Sequence, residues 1–419
     1  MDIELVVVGL GYVGLPLARQ ACAAGLSTVG YDVSASVVAG LTAGRSHVGD
    51  VRDSDVADML AAGFRATTDP SVIGHAGTVV ICVPTGFSED RKPDLAAVRA
   101  ASRSVAARLR PGTLVVLEST SHPGTTEEVV RPILERDSGL RAGADFHLSY
   151  SPERVDPANP VYGIGNTPKI VSGCTALCTK HAIAFYSRFV DTLVVSRGTR
   201  EAEMAKLLEN TYRYVNIALV NEIALFCDRV GIDVWDVLHC AATKPFGFAS
   251  FSPGAGVGGH CIPVDPHYLA AKAESEGFPL RMVSAAQHVN TRMPVHVADR
   301  AAALLDGLRT PGREARVLLL GVAYKPDVAD TRESPAAPVT RRLRDRGAEV
   351  VYHDPYVPEF VVDGVALRRV TCLPDALADA DLAILLQDHS PYDPAMLARS
   401  GCALLDTRGK TAGTRVTLL

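Results

Sequence analysis

At 419 residues the chain is too long for one ordinary hydrophobic core, so we expect two or three domains. Hydrophobic residues make up 47% of it and charged residues 21%, as in globular proteins. The formal net charge of -5 argues against a nucleic-acid-binding protein, which needs a basic face. No apolar run is long enough to cross a bilayer, and residues 1–9 lack the pattern of a signal peptide. We therefore expect a cytoplasmic protein without membrane or nucleic-acid partners.

Nine cysteines are spread singly along the chain. They include no Cys-x-x-Cys pair and no matching histidine spacing, which excludes the common zinc patterns, so we expect no bound metal. The same spread favours reduced thiols. Cys22, Cys82 and Cys227 lie in apolar stretches and are expected to be inert core residues.

Two parts of the chain alternate apolar runs with helical patterns, which is typical of parallel sheets with helices on both faces. A helix is predicted after the first strand as far as Ala24 and another over 338–346. Strands are predicted in the first part at 5–8, 27–31, 78–84 and 113–119. Strands are predicted near the C-terminus at 316–320, 349–353, 382–386 and 403–406.

Between these parts, residues 200–230 predict one long helix, because apolar residues recur at helical spacing without Pro or Gly and Gly231 follows. We expect this helix to join the two parts and to pack against a copy of itself in a homodimer. The predicted fold class is α/β, with two doubly wound Rossmann-like domains at 1–199 and 313–419 and a helical middle domain at 200–305.

The turn after the first strand carries Gly9-x-Gly11-x-x-Gly14 and opens a helix. The first glycine permits the tight turn, the second lets the backbone approach a pyrophosphate, and the third lets helix and strand pack closely. The pyrophosphate then lies at the helix N-terminus, where free amides and the helix dipole favour negative charge. The turn therefore predicts a dinucleotide-binding domain.

Asp32 ends the second predicted strand, where a ribose-binding acid is expected. A carboxylate accepts hydrogen bonds from a ribose 2′-hydroxyl but repels a 2′-phosphate. Neither Val33 nor Ser34 brings a neutralising Arg, so NAD is favoured over NADP. The alternative interpretation is a glycine-rich structural turn with a surface Asp.

The run from Pro253 to Asp265 places several glycines next to Cys261. Such a backbone is shaped for close approach to another molecule, and His260 or a helix N-terminus would favour the reactive thiolate. Cys261 is therefore a candidate nucleophile, with Asp265 placed to hold a water or a catalytic Lys. The alternative is a buried structural Cys in a glycine-rich turn.

Lys206 and Asn210 are spaced i, i+4 and project from one face of the long helix. Such a pair in a cleft can donate hydrogen bonds to a developing oxyanion, and Asn210 needs a partner if it is buried. The alternative is a solvated Lys beside a surface Asn.

Further polar residues follow predicted strands, at the edge where ligands bind in open α/β sheets. Lys325 and Arg332 are well placed to bind a diphosphate or a carboxylate. The alternative interpretation is that they are ordinary charged residues of a surface loop. These strand-end residues are Ser119, Thr120, Glu153, Arg154, Lys325 and Arg332.

Taken in order, the motifs resemble the UDP-glucose/GDP-mannose dehydrogenase family over essentially the whole chain. They are Gly-Leu-Gly-Tyr-Val-Gly at 9–14, Ser-Thr at 119–120, Ser-Pro-Glu at 151–153, Lys-x-x-x-Asn-Thr at 206–211, Gly-Gly-His-Cys at 258–261 and Gly-Val-Ala-Tyr-Lys at 321–325. The resemblance implies that the cofactor NAD contacts Gly9, Gly11, Tyr12, Val13, Gly14, Asp32, Pro84, Thr85, Thr120 and Arg332. It implies that a nucleotide-sugar substrate contacts Glu153, Arg154, Lys206, Asn210, Gly258, His260 and Lys325.

The resemblance also implies a four-electron oxidation of a sugar C6 alcohol to a carboxylate by two NAD. Cys261 captures the aldehyde as a thiohemiacetal, a second hydride leaves a thioester, and water hydrolyses it. Lys206 and Asn210 stabilise the oxyanions. The residues implied to position or activate water are Thr120, Glu153 and Asp265.

Three segments resemble the UDP-N-acetylhexosamine 6-dehydrogenase branch of the family, namely residues 152–157, 243–248 and 260–266. Within that branch, residues 167–171 resemble the N-acetylglucosamine type. Pro157 replaces the second acid of the glucose- and mannose-type pattern, while Ala158 and Ala255 depart from the branch pattern. The expected substrate is UDP-N-acetylglucosamine. The alternatives are a UDP- or TDP-glucose 6-dehydrogenase and a non-catalytic nucleotide-sugar-binding protein, against which the intact Lys206, Asn210 and Cys261 count.

Overall fold

The computed structural model describes residues 3–87, 93–156, 159–307 and 314–419. It divides into two compact units, Met1–Glu209 with His267–Phe278 and Asn210–Pro266 with Pro279–Leu419. Pro157, Ala158 and residue 313, where the last predicted domain begins, lie outside the described residues. The division into domains at 1–199, 200–305 and 313–419 stays a prediction.

The first unit is built on an eight-stranded sheet with the order β10-β9-β8-β7-β4-β1-β2-β3. Within the described ranges its neighbouring strands run parallel except β8 and β9, whose antiparallel pairing the sequence did not predict. β5 and β6 form a separate antiparallel pair. The strands are β1 (Ile3–Val8), β2 (Thr28–Tyr31), β3 (Arg65–Thr67), β4 (Ala76–Ile81), β5 (Gly86–Phe87), β6 (Pro93–Asp94), β7 (Leu114–Leu117), β8 (His147–Tyr150), β9 (Lys169–Gly173) and β10 (Leu193–Val195).

Helices cover both faces of this sheet because its central strands are apolar on both sides. In β1, Leu5 and Val7 pack into one hydrophobic core, while Val6 and Val8 pack into another. Each fully buried aliphatic side chain of this kind contributes about 1.5–3 kcal/mol. The helices are α1 (Gly14–Ala23), α2 (Ala35–Thr42), α3 (Asp53–Ala61), a 3-10 helix (Pro70–His75), α4 (Ala96–Ala106), a π-helix (Thr125–Val130), α5 (Arg131–Ser138), α6 (Ala176–Tyr186) and the start of α7 (Thr199–Val230).

The second unit repeats the doubly wound pattern on a six-stranded parallel sheet with the order β15-β12-β11-β16-β17-β18. Its helices are α8 (Val234–Ala242), α10 (Arg281–Asp306), α11 (Ala336–Asp345), α12 (Leu373–Asp379) and α13 (Pro394–Arg399), while α9 (Asp265–Ser275) lies mostly in the first unit. Its strands are β11 (Arg316–Leu320), β12 (Glu349–His353), the pair β13 (Val361–Val362) and β14 (Val365–Ala366), β15 (Arg368–Arg369), β16 (Leu382–Leu385), β17 (Ala403–Asp406) and β18 (Val416–Leu418).

The predicted fold class is confirmed in both units. The strands expected from apolar runs are present within a few residues of their predicted ends, and the long helix is α7. In each sheet the winding reverses between two central strands, β1 and β4 in the first and β11 and β16 in the second. Ligands of open α/β sheets bind at the carboxyl ends of such strands. None of the described helices combines the length and apolar character needed to span a membrane.

Glu203 in α7 is a fully buried carboxyl group that holds the beginning of the π-helix. Its Oε2 accepts a hydrogen bond from the Gly124 N–H at 2.6 Å, and its Oε1 accepts from the Thr126 N–H at 2.8 Å and hydroxyl at 2.7 Å. Burial raises the pKa of Glu203 from 4.5 to about 7, against the lowering effect of these donors. The favourable contribution of the protonated form is therefore present below about pH 4.5 and is lost as the pH rises through about 7.

We expect Glu203→Gln to remove this pH dependence. Between about pH 5 and pH 7, the free energy of unfolding of the unmodified protein should fall relative to that of the variant by up to about 1.4 kcal/mol per pH unit. Urea unfolding across this range measures the difference, and Glu201→Gln, an exposed acid on the same helix, is the control. Equal pH dependences in Glu203→Gln and the unmodified protein would contradict the expectation.

Candidate functional site

The glycine loop between β1 and α1 lies at the point where the winding of the first sheet reverses. Gly9 has φ +91, and a Cβ there would lie 2.7 Å from the carbonyl oxygen of Cys82, just after β4. A Cβ on Gly14 would lie 1.9 Å from the carbonyl oxygen of Gly9. A Cβ on Gly11 would meet no atom of the described protein within 4 Å. The loop is therefore closed against its own sheet and open above α1, as a bound pyrophosphate requires.

Asp32 follows β2 and holds the glycine loop in place through a hydrogen bond. Its Oδ2 accepts a hydrogen bond from the Leu10 N–H at 2.8 Å, and its Oδ1 accepts from the Ser34 N–H at 2.8 Å. Each carboxylate oxygen has two acceptor positions, so both can also accept from ribose hydroxyls. An open helix N-terminus beside such an acid fits NAD. The bond to Leu10, which the sequence did not predict, makes Asp32 part of the loop's structure as well.

Other residues predicted to contact the cofactor lie on the same edge of the first sheet. Tyr12 is 39% exposed in the glycine loop next to the half-buried Val13. Pro84 is exposed and Thr85 half-buried after β4, and Thr120 is half-buried after β7. The strand ends bring these residues together with Asp32, while their individual contacts with NAD stay predictions.

Glu153 and Arg154 follow β8, next to β7 in the sheet. Oε1 of Glu153 accepts hydrogen bonds from the N–H groups of Arg154 and Val155, at 2.7 and 2.6 Å. The Arg154 guanidinium lies 2.7 Å from a carboxylate oxygen of Glu209 and donates to the Pro168 carbonyl at 2.6 Å. Glu153 is therefore held by its own backbone with one oxygen facing away from it.

Sequence reasoning missed a buried ion pair beside Glu153. Nζ of Lys169 in β9 lies 3.1 Å from Oε1 of Glu118 and 3.9 Å from Oε2 of Glu153. Lys169 is 5% exposed and Glu118 1%. The available signal was a Lys that begins the apolar run Ile170-Val171, because a charge in a buried strand needs a partner.

In the second unit, Asn210 and Asp265 form a buried pair. Asn210 is 7% exposed and Asp265 2%, and Nδ2 of Asn210 donates to Oδ2 of Asp265 at 2.5 Å. The predicted need of a buried Asn210 for a partner is thus met by another predicted site residue. Lys206, which precedes Asn210 by one turn of α7, is 8% exposed and so is not a solvated Lys.

Cys261 is half-buried and lies four residues before the first residue of α9, Asp265. The Asp265 N–H donates to the Cys261 carbonyl at 2.8 Å, which fixes the thiol residue one turn before the helix. In contrast, Cys22, Cys82 and Cys227 are buried, as their apolar stretches predicted. Cys261 is therefore less buried than these three cysteines, and its backbone is bonded to Asp265 of the buried Asn210–Asp265 pair.

The glycines before Cys261 have a structural reason that the sequence did not reveal. A Cβ on Gly258 would lie 2.7 Å from Cβ of Tyr324, and one on Gly259, where φ is +88, would lie 2.7 Å from the Tyr324 ring. The Gly259 N–H also donates to the Arg332 carbonyl at 2.9 Å. These glycines therefore let residues 258–261, called the thiol segment below, pack closely against the loop after β11. Contact of Gly258 with substrate stays a prediction.

Arg332 is exposed, and its guanidinium pairs with Asp330 through Nε at 3.0 Å and Nη2 at 2.6 Å. Although burial alone would raise the pKa of Asp330, the hydrogen bonds from Arg332 lower it below its ordinary value. Lys325 and His260 are half-buried in the same unit. The structure thus brings Arg332 to the thiol segment, while its contact with NAD and those of Lys325 and His260 with substrate stay predictions.

Asp354 occupies in the second sheet the place that Asp32 has in the first, directly after the second strand of the winding. It is fully buried, and its Oδ2 accepts from the Val322 N–H at 2.7 Å and the Ala323 N–H at 3.1 Å, and lies 3.1 Å from Nε2 of His389. Oδ1 accepts from two further backbone N–H groups. Because its acceptor positions are filled, this acid cannot bind a ribose as Asp32 can.

Comparison with known proteins agrees with this difference between the two units. Models of the UDP-glucose/GDP-mannose dehydrogenase family match the chain in all three of their domains. The NAD binding domain matches residues 3–190, the central domain residues 200–292, and the UDP binding domain residues 318–411. The prediction of NAD from the glycine loop and Asp32 is confirmed.

Individual relatives cover almost the whole chain. The UDP-N-acetyl-D-mannosamine dehydrogenase of Salmonella typhi is 35% identical over 399 residues, 92% of this chain and 93% of that one. The UDP-N-acetyl-D-glucosamine 6-dehydrogenase of Pseudomonas aeruginosa is 35% identical over 362 residues, 85% and 83% of the two chains. The solved structure of the UDP-D-ManNAc dehydrogenase from Pyrococcus horikoshii aligns with a TM-score of 0.89 at 32% identity, covering 99% and 98%. The chain belongs to the UDP-glucose/GDP-mannose dehydrogenase family and is an NAD-dependent oxidoreductase of nucleotide sugars.

Proposed function

We propose that the chain oxidises the C6 alcohol of a UDP-N-acetylhexosamine to the carboxylate, with Cys261 as the covalent carrier. The observation that carries this proposal is the half-buried Cys261, whose backbone carbonyl is bonded to Asp265 of the buried Asn210–Asp265 pair. A cysteine that is not fully buried, on a segment bonded to amide and carboxyl side chains, suits acyl chemistry. The family matches support the predicted roles of 1–199 in NAD binding and of 313–419 in nucleotide-sugar binding. We propose the roles in catalysis and dimerisation for 200–305.

NAD, held by the glycine loop and Asp32, supplies a hydride acceptor for each of the two oxidations. After the alcohol has become an aldehyde, the Cys261 thiolate adds to its carbon, and the oxygen takes up a proton to give a thiohemiacetal. Loss of the second hydride and of that proton leaves a thioester. Water then adds to the thioester carbon, the carbon–sulfur bond breaks, and the thiolate leaves with the carboxylate product formed.

Asn210 and Lys206 are the proposed donors to the oxyanions that form on C6. An amide nitrogen has two hydrogens, and since Asp265 accepts one from Asn210, the other has a fixed direction. Donors fixed in advance stabilise charge that develops in the transition state without reorganisation. The residues proposed to position or activate the water are Thr120, Glu153 and Asp265.

We propose UDP-N-acetylglucosamine as the substrate, on the basis of the residues at 152–157 and 167–171. The name of the Pseudomonas aeruginosa relative supports it. The names of the Salmonella typhi and Pyrococcus horikoshii relatives support UDP-N-acetylmannosamine as a second candidate. A UDP-glucose dehydrogenase from Pyrobaculum islandicum, with a TM-score of 0.86 at 27% identity, keeps the unacylated sugar as a third.

Cys261→Ser should allow a slow first oxidation but block the acyl stage. We expect steady-state turnover, measured as NADH absorbance, to fall by roughly 10³-fold or more, because the covalent carrier is lost. Cys240→Ser, a change at an exposed thiol elsewhere, should keep full turnover. In the unmodified protein the proposal requires two NADH per sugar consumed, whereas one NADH would mean oxidation ends at the aldehyde. Near-full turnover in Cys261→Ser would refute covalent catalysis.

A panel of UDP-N-acetylglucosamine, UDP-N-acetylmannosamine, UDP-glucose and TDP-glucose tests the substrate. We expect kcat/KM with NAD to be about tenfold or more higher for UDP-N-acetylglucosamine, because a site built to bind an acetamido group discriminates against sugars that lack or misplace it. Preference for the mannosamine nucleotide would select the second candidate. Preference for a glucose nucleotide would contradict the proposal that the substrate carries an acetamido group.

We further propose that the protein is a cytoplasmic homodimer. All nine cysteines are free, and the proposed chemistry needs Cys261 reduced, as the cytoplasm keeps it. On α7, large apolar side chains recur at helical spacing on one exposed face, which suits packing against a second copy. They are Tyr212 (50% exposed), Leu219 (55%), Ile223 (38%), Phe226 (58%) and Val230 (48%).

The dimer is tested by placing a charge on this face. Leu219→Glu with Phe226→Glu should shift the protein from dimer to monomer in sedimentation velocity, because two carboxylates would be buried at the contact. Arg213→Glu, an exposed change about 100° around the helix from Tyr212, should leave the dimer intact. A monomer in the unmodified protein, or a dimer in the double variant, would contradict the proposed face.

A further inference from the structure

The connection after β11 in the second unit is longer than its counterpart in the first. It runs over residues 321–335 before α11 begins, whereas residues 9–13 connect β1 to α1. This connection, called the β11 loop below, carries Lys325 and lies within the match to the UDP binding domain. A ligand that has to order a loop binds it more weakly, so a binding loop of this length needs to be held beforehand.

The β11 loop is bonded to a histidine of the loop after β16. His389 is 1% exposed, and its Nδ1 accepts a hydrogen bond from the Asp327 N–H at 2.9 Å. Because Nδ1 accepts, the ring hydrogen is on Nε2, and Nε2 lies 3.1 Å from Oδ2 of Asp354. His389 therefore joins the backbone of the β11 loop to the buried acid that follows β12.

Asp354 gives His389 a fixed support. Its Oδ2 also accepts hydrogen bonds from the N–H groups of Val322 and Ala323, at the start of the β11 loop. Although burial alone would raise it, the hydrogen bond from His389 lowers the pKa of Asp354, so this carboxylate is an acceptor. Since the imidazole ring is rigid, an Nε2 fixed by Asp354 also fixes the position of Nδ1. The start and the middle of the β11 loop are thus held by the same buried carboxylate.

The side chain of Asp327 is bonded to the same neighbouring loop as its backbone. The Ser390 N–H donates to Oδ1 of Asp327 at 2.8 Å, and the Ser390 hydroxyl donates to Oδ2 at 2.5 Å. Although burial alone would raise it, these bonds lower the pKa of Asp327. The bonds of Asp327 to His389 and Ser390 are called the Asp327 bridge below, and they connect the loops that follow the two central strands of the sheet.

The backbone at Asp327 shows that the bridge determines the conformation of the β11 loop. Asp327 has a φ of +60°, in the left-handed region that residues other than glycine adopt only where the surrounding structure requires it. Pro326 fixes its own φ and restricts the preceding Lys325 to extended backbone. Because two fixed residues follow Lys325 directly, the bridge also sets the point from which the Lys325 side chain starts.

We propose that His389 is a positioning residue, which acts through the Asp327 bridge to hold the β11 loop in the conformation in which Lys325 binds the diphosphate of a UDP-sugar. The contact of Lys325 with the substrate rests on the function proposed above. The hydrogen bonds of His389 do not, and UDP alone, without NAD or sugar, is enough to test their effect.

Two substitutions of His389 separate its two hydrogen bonds. The Oδ1 of an asparagine is as many bonds from Cβ as Nδ1 of a histidine, so His389→Asn keeps an acceptor for the Asp327 N–H and loses the donor to Asp354. The Nε2 of a glutamine corresponds in the same way to Nε2 of a histidine, so His389→Gln keeps the donor to Asp354 and loses the acceptor for Asp327. Each variant loses one buried hydrogen bond, so both should have a lower free energy of unfolding.

The direct measurement is the Kd of UDP by isothermal titration calorimetry. We expect the Kd to rise about fivefold or more in His389→Gln, because UDP must then order the β11 loop. In His389→Asn it should stay close to that of the unmodified protein. Lys325→Ala should raise the Kd about tenfold or more, because a charge-assisted hydrogen bond is lost. The double variant His389→Gln/Lys325→Ala should bind UDP no more weakly than Lys325→Ala, since His389 acts through Lys325.

If His389→Gln does not fold, Asp327→Ala tests the bridge from its other side by removing the carboxylate that Ser390 holds. Asp363→Ala is the matched control, since Asp363 also has a positive φ, +52°, and its carboxylate also accepts hydrogen bonds, from Arg341. Both variants place alanine at a left-handed position and remove a bonded carboxylate. The affinity for UDP should fall in Asp327→Ala and stay unchanged in Asp363→Ala.

The kinetic measurement uses NAD and the UDP-sugar that the panel selects. In His389→Gln the KM for this sugar should rise as the Kd of UDP does while kcat changes little, because the UDP part is bound alike in the substrate and in the transition state. A purely structural role of His389 predicts instead that His389→Asn and His389→Gln lose affinity for UDP equally, in step with their stability in urea. That result would overturn the proposal.

The outcomes separate this inference from the proposed function. Two NADH per sugar together with an unchanged Kd of UDP in His389→Gln would overturn the role of His389 and leave the function standing. Weaker binding of UDP in His389→Gln but not in His389→Asn, without NADH from any UDP-sugar, would support the role of His389 and reject the oxidation. An unchanged Kd in Lys325→Ala would overturn Lys325 as the diphosphate contact, and the role of His389 with it.

Discussion

Polar groups at the carboxyl ends of buried parallel strands need hydrogen-bond partners. In both units of this protein, the partners that they find decide whether a group can still bind a ligand. In the first sheet, Asp32 accepts one backbone N–H on each oxygen and keeps capacity for a ligand. In the second sheet, Asp354 is fully buried and its oxygens are filled by four backbone N–H groups and His389. The same residue type at the same point of the same fold thus keeps free acceptor positions in one unit and has all of them filled in the other.

The thiol segment depends on contacts that act on its backbone. Gly258 and Gly259 lie against Tyr324, and the N–H of Gly259 is held by the Arg332 carbonyl. The Cys261 carbonyl accepts the Asp265 N–H, and the Asp265 carboxylate accepts the amide of Asn210. For the proposed nucleophile Cys261, a backbone fixed in this way does not have to be ordered during the reaction, which would lower the barrier for attack.

Buried ionisable groups of the first unit have two different uses. Glu203 holds the start of the π-helix with backbone and hydroxyl donors, so its effect is on stability and its dependence on pH. Lys169 and Glu118 carry opposite charges that meet beside Glu153. Since burial makes each uncompensated charge expensive, the lysine and its partner must lie close enough to balance each other.

The sequence by itself determined the α/β class, the strands with long apolar runs and the cofactor. Apolar runs that end in glycine, and the spacing of Gly9, Gly11, Gly14 and Asp32, are local patterns, and local patterns follow from backbone geometry. It also named the residues Asn210, Asp265 and Cys261, which the structure brings together in one unit.

The tertiary structure alone decided which of these polar groups are already satisfied. Asp354 and Asp32 look alike in sequence, and Lys169 looks like an ordinary charge before a strand. Their difference comes from partners that are distant in the chain, such as His389 for Asp354 and Glu118 for Lys169. Burial and pairing are properties of the packed strands, so no local pattern could reveal that Lys169 lies between two carboxylates.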